Sequence, residues 1–211
     1  MPPPGFRGLD PNLPVYRYTR HLPHWRQEGA TYFVTFRLAD ALPREKLDDL
    51  KYTKLLWEQK NPSPTDQDWQ TYARTVLRKT ERWLDEGYGS CCLKSPESSG
   101  IVASSLHHFE GSRYSLFSYV MMPNHVHLVV CPMQSHKLEA IIKSWKRFTA
   151  TRINQHEEQS GSLWQEEYFD RIVRDVAHLR RILKYIQMNP QKAGVSAQAW
   201  LAPDWRAWYD A

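Results

Sequence analysis

Three features of the 211-residue sequence predict an α+β fold: a ferredoxin-like βαββαβ sandwich with an antiparallel sheet, a helical insertion and an extra terminal helix. Two stretches dense in β-branched and apolar residues, 114–122 and 125–131, flank a Pro123-Asn124 turn and read as a hairpin. A third such stretch, 31–38, stands near the N-terminus. Segments with helical spacing of apolar residues fill the gaps, so the order is strand, helices, strand, strand, helix, strand, helix.

Residues 1–28 form an arm rich in Pro, Arg and aromatics (Pro2, Pro3, Pro4, Tyr16, Arg17, Trp25, Arg26), with no sustained apolar period, and are expected to lie over the domain. The stretch Thr31-Tyr-Phe-Val-Thr-Phe-Arg-Leu38 follows Gly29 and is apolar on both faces, which marks a central strand. From about 42 to 90 runs the helical insertion, two helices broken at Asn61-Pro-Ser-Pro-Thr65, with apolar marks at Leu47, Leu50, Leu55 and Leu56, then Trp69, Tyr72, Val76, Trp83 and Leu84. A short helix over 95–108 precedes the hairpin. After it, 137–153 places Leu138, Ile141, Ile142, Trp145, Phe148 and Thr149 on one stripe and Lys143, Lys146, Arg147 and Arg152 off it. Residues 163–173 read as a further strand, and Asp175 caps a helix that Pro190 stops. Residues 191–211 are left as a Trp-rich tail, and the sheet face away from the crossover helices is left open for a site.

Lys and Arg number 28 against 23 Asp and Glu, a net charge of +5 with a pI near 9.1, which suits an acidic partner. A hydrophobic share of 41% excludes disorder of the whole chain. No apolar run approaches the ~18 residues of a membrane span, and no apolar leader segment is visible, so a soluble, cytoplasmic protein with no membrane partner is expected. Cys91, Cys92 and Cys131 are odd in number with two adjacent, which fits a reducing compartment. Without a Cys-x-x-Cys pair, any metal must be held by His and oxygen ligands.

His125 and His127 lie two apart on a predicted strand, so both imidazoles face one side. A lone His-x-His is equally the mark of hydrogen-bonded structural histidines. On the terminal helix, Tyr185, Asn189, Arg181 and His178 fall within a sector of roughly 80°, beside the apolar stripe Leu179, Ile182, Leu183 and Ile186. Taken alone, that helix reads as a core-edging tyrosine and a C-terminal cap; joined to a histidine pair it reads as a site.

The segment Val120-Met-Met-Pro-Asn-His-Val-His-Leu128, with Tyr185-Ile-Gln-Met-Asn-Pro190 downstream, resembles the REP-associated tyrosine transposases, single-tyrosine members of the His-hydrophobe-His (HUH) class. The resemblance runs from about 24 to 195 and takes in Trp83-Leu-Asp-Glu-Gly-Tyr-Gly89, Leu163-Trp-Gln-Glu166 and Asn189-Pro-Gln-Lys-Ala-Gly194. It implies a transposase domain over 29–190 in which His125, His127 and Asn189 hold a divalent ion, Mg²⁺ or Mn²⁺, at the scissile phosphate. Tyr185 then attacks that phosphate, and the ester is a 5′-phosphotyrosine. In related insertion-sequence transposases a Gln often fills the helix position, so Asn189 agrees with the REP-associated branch. The resemblance further implies single-stranded DNA beside a palindromic hairpin as partner, association with the bacterial nucleoid, and a monomer, with a dimer as the alternative that insertion-sequence relatives use.

A phenol with a pKa near 10 is a poor nucleophile at neutral pH, so a neighbouring acceptor or cation is required, and His178 or Arg181 is placed to serve. Lys143, Lys146, Arg147, Arg152, Arg171, Arg174 and Arg181 are candidates for DNA phosphates, and Trp164 is a candidate for stacking on an unpaired base. Two other readings use the same residues: a catalytically relict, sequence-specific binder of palindromic repeats, and a metal hydrolase that uses water and leaves Tyr185 dispensable.

Overall fold

The computed structural model describes residues 1–19, 22–133, 135–197 and 199–211. In chain order the elements are β1 (Tyr16–Thr19), β2 (Pro23–Arg26), β3 (Tyr32–Arg37), α1 (Arg44–Lys60), α2 (Asp66–Asp85), α3 (Pro96–His107), β4 (Tyr114–Met122), β5 (His125–Pro132), α4 (Leu138–His156), β6 (Phe169–Ile172), α5 (Val176–Lys192), β7 (Trp200–Leu201) and α6 (Pro203–Asp210). The main sheet has the order β6-β3-β5-β4-β7, and every neighbouring pair is antiparallel. Numbered among themselves, β3, β4, β5 and β6 take the order 4-1-3-2 of a βαββαβ sandwich. One crossover, β3 to β4, carries α1, α2 and α3; the other, β5 to β6, carries α4.

The period of two on β3 and β5 sorts the core into two layers. Tyr32, Val34 and Phe36, with Val126, Leu128 and Val130, face α3 and α4 and pack on Val102, Leu106, Ile142 and Trp145. Phe33 and Val129 face the other way. That second face is not left open, contrary to the sequence expectation: Leu179, Ile182, Leu183 and Ile186 of α5 and Trp205 of α6 cover it. An apolar stripe on α5 must bury itself, and the second sheet face offers it Phe33, Val120, Met122 and Val129.

Three further elements differ from the sequence reading. The arm contains the antiparallel hairpin β1–β2, paired from Tyr16↔Arg26 to Thr19↔Pro23. It is tied to β6 by polar groups: the His24 ring contacts the carboxylates of Asp170 and Glu167, and the Arg26 guanidinium those of Asp170 and Glu139. The expected strand over 163–173 shrinks to Phe169–Ile172 plus a bridge at Leu38↔Trp164. Between them, the Gln165 and Glu166 carbonyls accept from Lys146 Nζ at 2.8 and 3.0 Å instead of from a strand.

Pro190 does not stop α5, which continues to Lys192. Proline so near a helix end removes one N–H from the final turn without cutting a long ladder. Residues 191–211 are no loose tail either. β7 pairs with β4, and Trp205 stacks on Phe117 with ring centroids 3.9 Å apart while its Nε1 donates to the Pro4 carbonyl at 2.8 Å. Among the described residues, no helix is long and apolar enough to cross a membrane.

Candidate active site

β5 starts at the Pro123-Asn124 turn, and its alternation sends His125 and His127 to the α5 side of the sheet, opposite Arg37 and Thr35 of β3. Both are buried, at 1% and 0% exposure. Their Nε2 atoms lie 3.0 Å apart. His125 Nδ1 is 2.8 Å from Asn124 Oδ1, and His127 Nδ1 is 2.7 Å from Thr35 Oγ1.

These partners decide the tautomers. An amide oxygen only accepts, so His125 carries its proton on Nδ1 and turns the Nε2 lone pair inward. That lone pair lies 3.0 Å from His127 Nε2, so without a metal His127 carries its proton on Nε2 and its Nδ1 accepts from the Thr35 hydroxyl, which can turn to accept when the proton moves. Burial pushes His125 down to about 3, and burial with the nearby His125 and Arg171 holds His127 well below the ordinary imidazole value. Both rings are therefore neutral at neutral pH, the state in which imidazole binds metal.

α5 opens with Asp175, whose side chain accepts from the His178 backbone N–H at 2.6 Å. Its apolar stripe docks on the sheet, and this sets Tyr185 over the histidine pair, with the buried Asn189 one turn further on. The Tyr185 hydroxyl is 3.2 Å from His127 Nε2. Its ring meets Phe33 and His127 edge-on, at centroid distances of 6.0 and 5.1 Å. Asn189 is buried and near enough to the Tyr185 hydroxyl to favour its ionised form, while its Oδ1 has no partner.

Glu81 of α2 lies close enough to that hydroxyl to act on it electrostatically. Burial first, then Glu81 and Asp85, push the Tyr185 phenol above its ordinary range. Burial raises the Glu81 carboxyl, with Arg171, Tyr185 and Lys192 opposing the shift. The sequence reading missed Glu81, because nothing in its spacing links it to α5; the only signal is an acid beside the buried Thr80, Trp83 and Leu84.

His178 and Arg181, expected to activate the tyrosine as acceptor or cation, make no hydrogen bond with the Tyr185 hydroxyl among the described residues. His178 Nδ1 instead accepts from the Arg174 backbone N–H at 3.1 Å, at the start of the helix, and Arg181 is exposed there. Arg171 of β6 lies with the site: its guanidinium sits 5.0 Å over the Phe33 ring, its Nε is buried without a partner, and its charge acts on Glu81, Tyr185 and His127.

Among the described residues, no group of three or more His, Cys, Asp or Glu is arranged to hold a metal ion. The donor set here is of another kind: two imidazole nitrogens and the orphaned Asn189 oxygen. A buried acceptor without a partner costs about 1–3 kcal/mol, so this oxygen calls for a ligand, and two N and one O donor fit a divalent cation.

The remaining candidates lie elsewhere. Lys143, Arg147 and Arg152 are exposed on α4, on the opposite side of the sheet from the histidines, and line a shallow groove with Phe148 and Thr151. Lys146 is engaged by the Gln165 and Glu166 carbonyls, and Arg174 is exposed before α5. Trp164 is not a surface platform: it is 4% exposed, donates from Nε1 to Thr149 Oγ1 at 2.8 Å, and meets Phe36 edge-on. Phe148, expected in the core, is 52% exposed, because Trp145 and Thr149 complete the buried stripe and position 148 turns ~100° away from 149.

Residues 102–189 match the family described as "Transposase IS200 like", a span holding both histidines, Tyr185 and Asn189 but less than half the chain. A solved structure of a REP-associated tyrosine transposase bound to a REP hairpin aligns with 85% of this chain and 74% of its own, at 14% identity and a TM-score of 0.42. A crystal structure of a candidate transposase from Deinococcus radiodurans R1 aligns with 83% of this chain and 92% of its own, at 15% identity and a TM-score of 0.32. No curated protein matches the chain. In its sequence, the segment 102–189, which contains the histidine pair, the tyrosine and Asn189, is similar to the IS200-like transposases.

Proposed function

We propose that the protein is a metal-dependent, single-tyrosine DNA endonuclease and strand transferase that acts on single-stranded DNA beside a hairpin. The observation that carries this reading is the Tyr185 hydroxyl 3.2 Å from His127 Nε2, with Asn189, whose Oδ1 lacks a partner, one turn further on the same rigid helix. Water hydrolysis would need no phenol there.

His125, His127 and Asn189 would hold Mg²⁺ or Mn²⁺, which when bound polarises a phosphate oxygen. The chain's own residues do the rest. Tyr185 Oη forms the bond to phosphorus, the P–O3′ bond breaks, and the DNA leaves with a 3′-hydroxyl. The phenolic proton passes to the Glu81 carboxylate that faces it, and a proton supplied from solvent completes the 3′-hydroxyl. Arg171, buried with an unpartnered Nε, is placed to meet the negative charge of the phosphate. The ester stores the energy of the phosphodiester, so rejoining needs no nucleotide cofactor.

The substrate class rests on the motif resemblance and on the exposed cations of α4, α5 and the β6–α5 connection. A cleavage assay on a labelled single strand with a hairpin flank tests the reading. Mg²⁺ or Mn²⁺ should support cleavage, and excess EDTA, His125→Ala or His127→Ala should each abolish it. Full cleavage in EDTA, or by the double histidine variant, contradicts the metal assignment; tight hairpin binding without cleavage by the wild type supports the relict binder instead.

A further inference from the structure

The helical insertion, α1 and α2, precedes the segment that matches the transposase family, yet its last turn reaches the histidine pair through one side chain. Asn124 is fully buried between the two. Its Nδ2 donates to the carbonyl of Leu84, in the last turn of α2, at 3.3 Å and to that of Tyr88, just beyond the helix, at 3.1 Å. Its Oδ1 faces His125 Nδ1 at 2.8 Å. Its own backbone carbonyl accepts from Leu38 N–H at 2.8 Å, which holds the turn in place.

Each of these contacts admits one orientation of the amide. A helix end exposes carbonyls that need donors, and the NH₂ group supplies two N–H bonds to them. Turning the amide over would set its oxygen against two carbonyl oxygens and its NH₂ against the His125 ring. The insertion therefore orients the amide, the amide oxygen accepts from the His125 Nδ1–H, and the Nε2 lone pair is left aimed at His127. His127 is less fixed: without a metal its Nε2–H meets that lone pair, and the Thr35 hydroxyl can follow a change of tautomer by turning from donor to acceptor.

We propose that Asn124 is a positioning residue through which the end of α2 locks His125 in the Nδ1–H tautomer and so presents Nε2 as a ready metal ligand. This rests on the metal reading above for its purpose, but not for its test. Partners of this kind behind a metal-bound histidine typically change metal affinity about 10–100-fold when removed.

The test is long-range ¹H–¹⁵N correlation of the histidine rings in the metal-free full chain, followed by Mn²⁺ titration. The wild type should show His125 as Nδ1–H with an unprotonated Nε2. Asn124→Ala should shift His125 toward Nε2–H or a mixture and weaken Mn²⁺ binding by about 10–100-fold. Asn124→Asp keeps an acceptor for Nδ1, so it should retain the Nδ1–H tautomer even though it loses the bonds to Leu84 and Tyr88. A wild type whose His125 is Nε2–H overturns the proposal without any variant. So does a folded Asn124→Ala protein that keeps both the Nδ1–H tautomer and wild-type Mn²⁺ affinity. Wild-type protein that binds no Mn²⁺ counts against the metal reading alone, and the tautomer result still decides the role of Asn124.

Discussion

Tyr185 separates the chemistry from the scaffold, because Tyr185→Phe removes one oxygen and leaves the ring packed on Phe33 and His127. That variant should fold, keep Mn²⁺ affinity within about twofold of wild type and lose all covalent attachment to DNA; equal attachment by the variant would reassign the nucleophile. Trp164 and Phe148 form a second contrast. Trp164→Ala empties a core position and should cost about 3–5 kcal/mol in chemical denaturation, with no loss of DNA affinity in the folded fraction. Phe148→Ala should change stability by under about 0.5 kcal/mol and weaken single-stranded DNA binding by about 1–3 kcal/mol if a base stacks there. The opposite pattern would return Trp164 to the binding surface. The histidine pair and the tyrosine–asparagine pair were legible, since periods of two and of about four place each pair on one face. Glu81 and the role of Asn124 were not, because tertiary packing alone brings α2 to them.

At the scale of elements, the arm hairpin is fastened to β6 by His24, whose two ring nitrogens each meet a carboxylate, from Asp170 and Glu167. Burial favours the neutral ring, but the two carboxylates outweigh it and raise the His24 pKa. A histidine raised above its unfolded value of about 6.5 contributes stability that is complete below that pH and is lost as the pH rises through the folded value. The stability gap between wild type and His24→Gln, from urea unfolding, should therefore be wider at about pH 6 than at about pH 9. A gap that widens with pH would show that the ring is held neutral. The arm's Pro and Arg content concealed this hairpin, because four-residue strands carry little periodic signal and the carboxylates that fasten it, Glu139, Glu167 and Asp170, lie far along the chain. Similarly, the strand expected over 163–173 is cut short by Lys146, and no local pattern announces a side chain from another element.

For the molecule as a whole, the consequential feature is the two-sided sheet. The 4-1-3-2 core was legible, since strand order follows from three apolar stretches, a tight turn and two crossovers. The covering of the second face was only partly so: α5 announced its stripe, but β7 and α6 are too short to show one. The histidine–tyrosine site and the exposed cations of α4 consequently lie on opposite faces, and a DNA strand that uses both must pass around the sheet. Changing Lys143, Arg147 and Arg152 together to Ala should lower hairpin-DNA affinity and flatten the salt dependence of log K by about 0.7 for each phosphate no longer neutralised. An unchanged salt slope would exclude the α4 face from binding. The most direct test of the central claim is mass spectrometry of the protein trapped with a hairpin-flanked single strand in Mn²⁺ and digested. The expected result is a nucleotide adduct on the peptide containing Tyr185 and none on that of Tyr168, the buried tyrosine just before β6; cleaved DNA with an adduct on Tyr168, or with no adduct on any tyrosine, would contradict it.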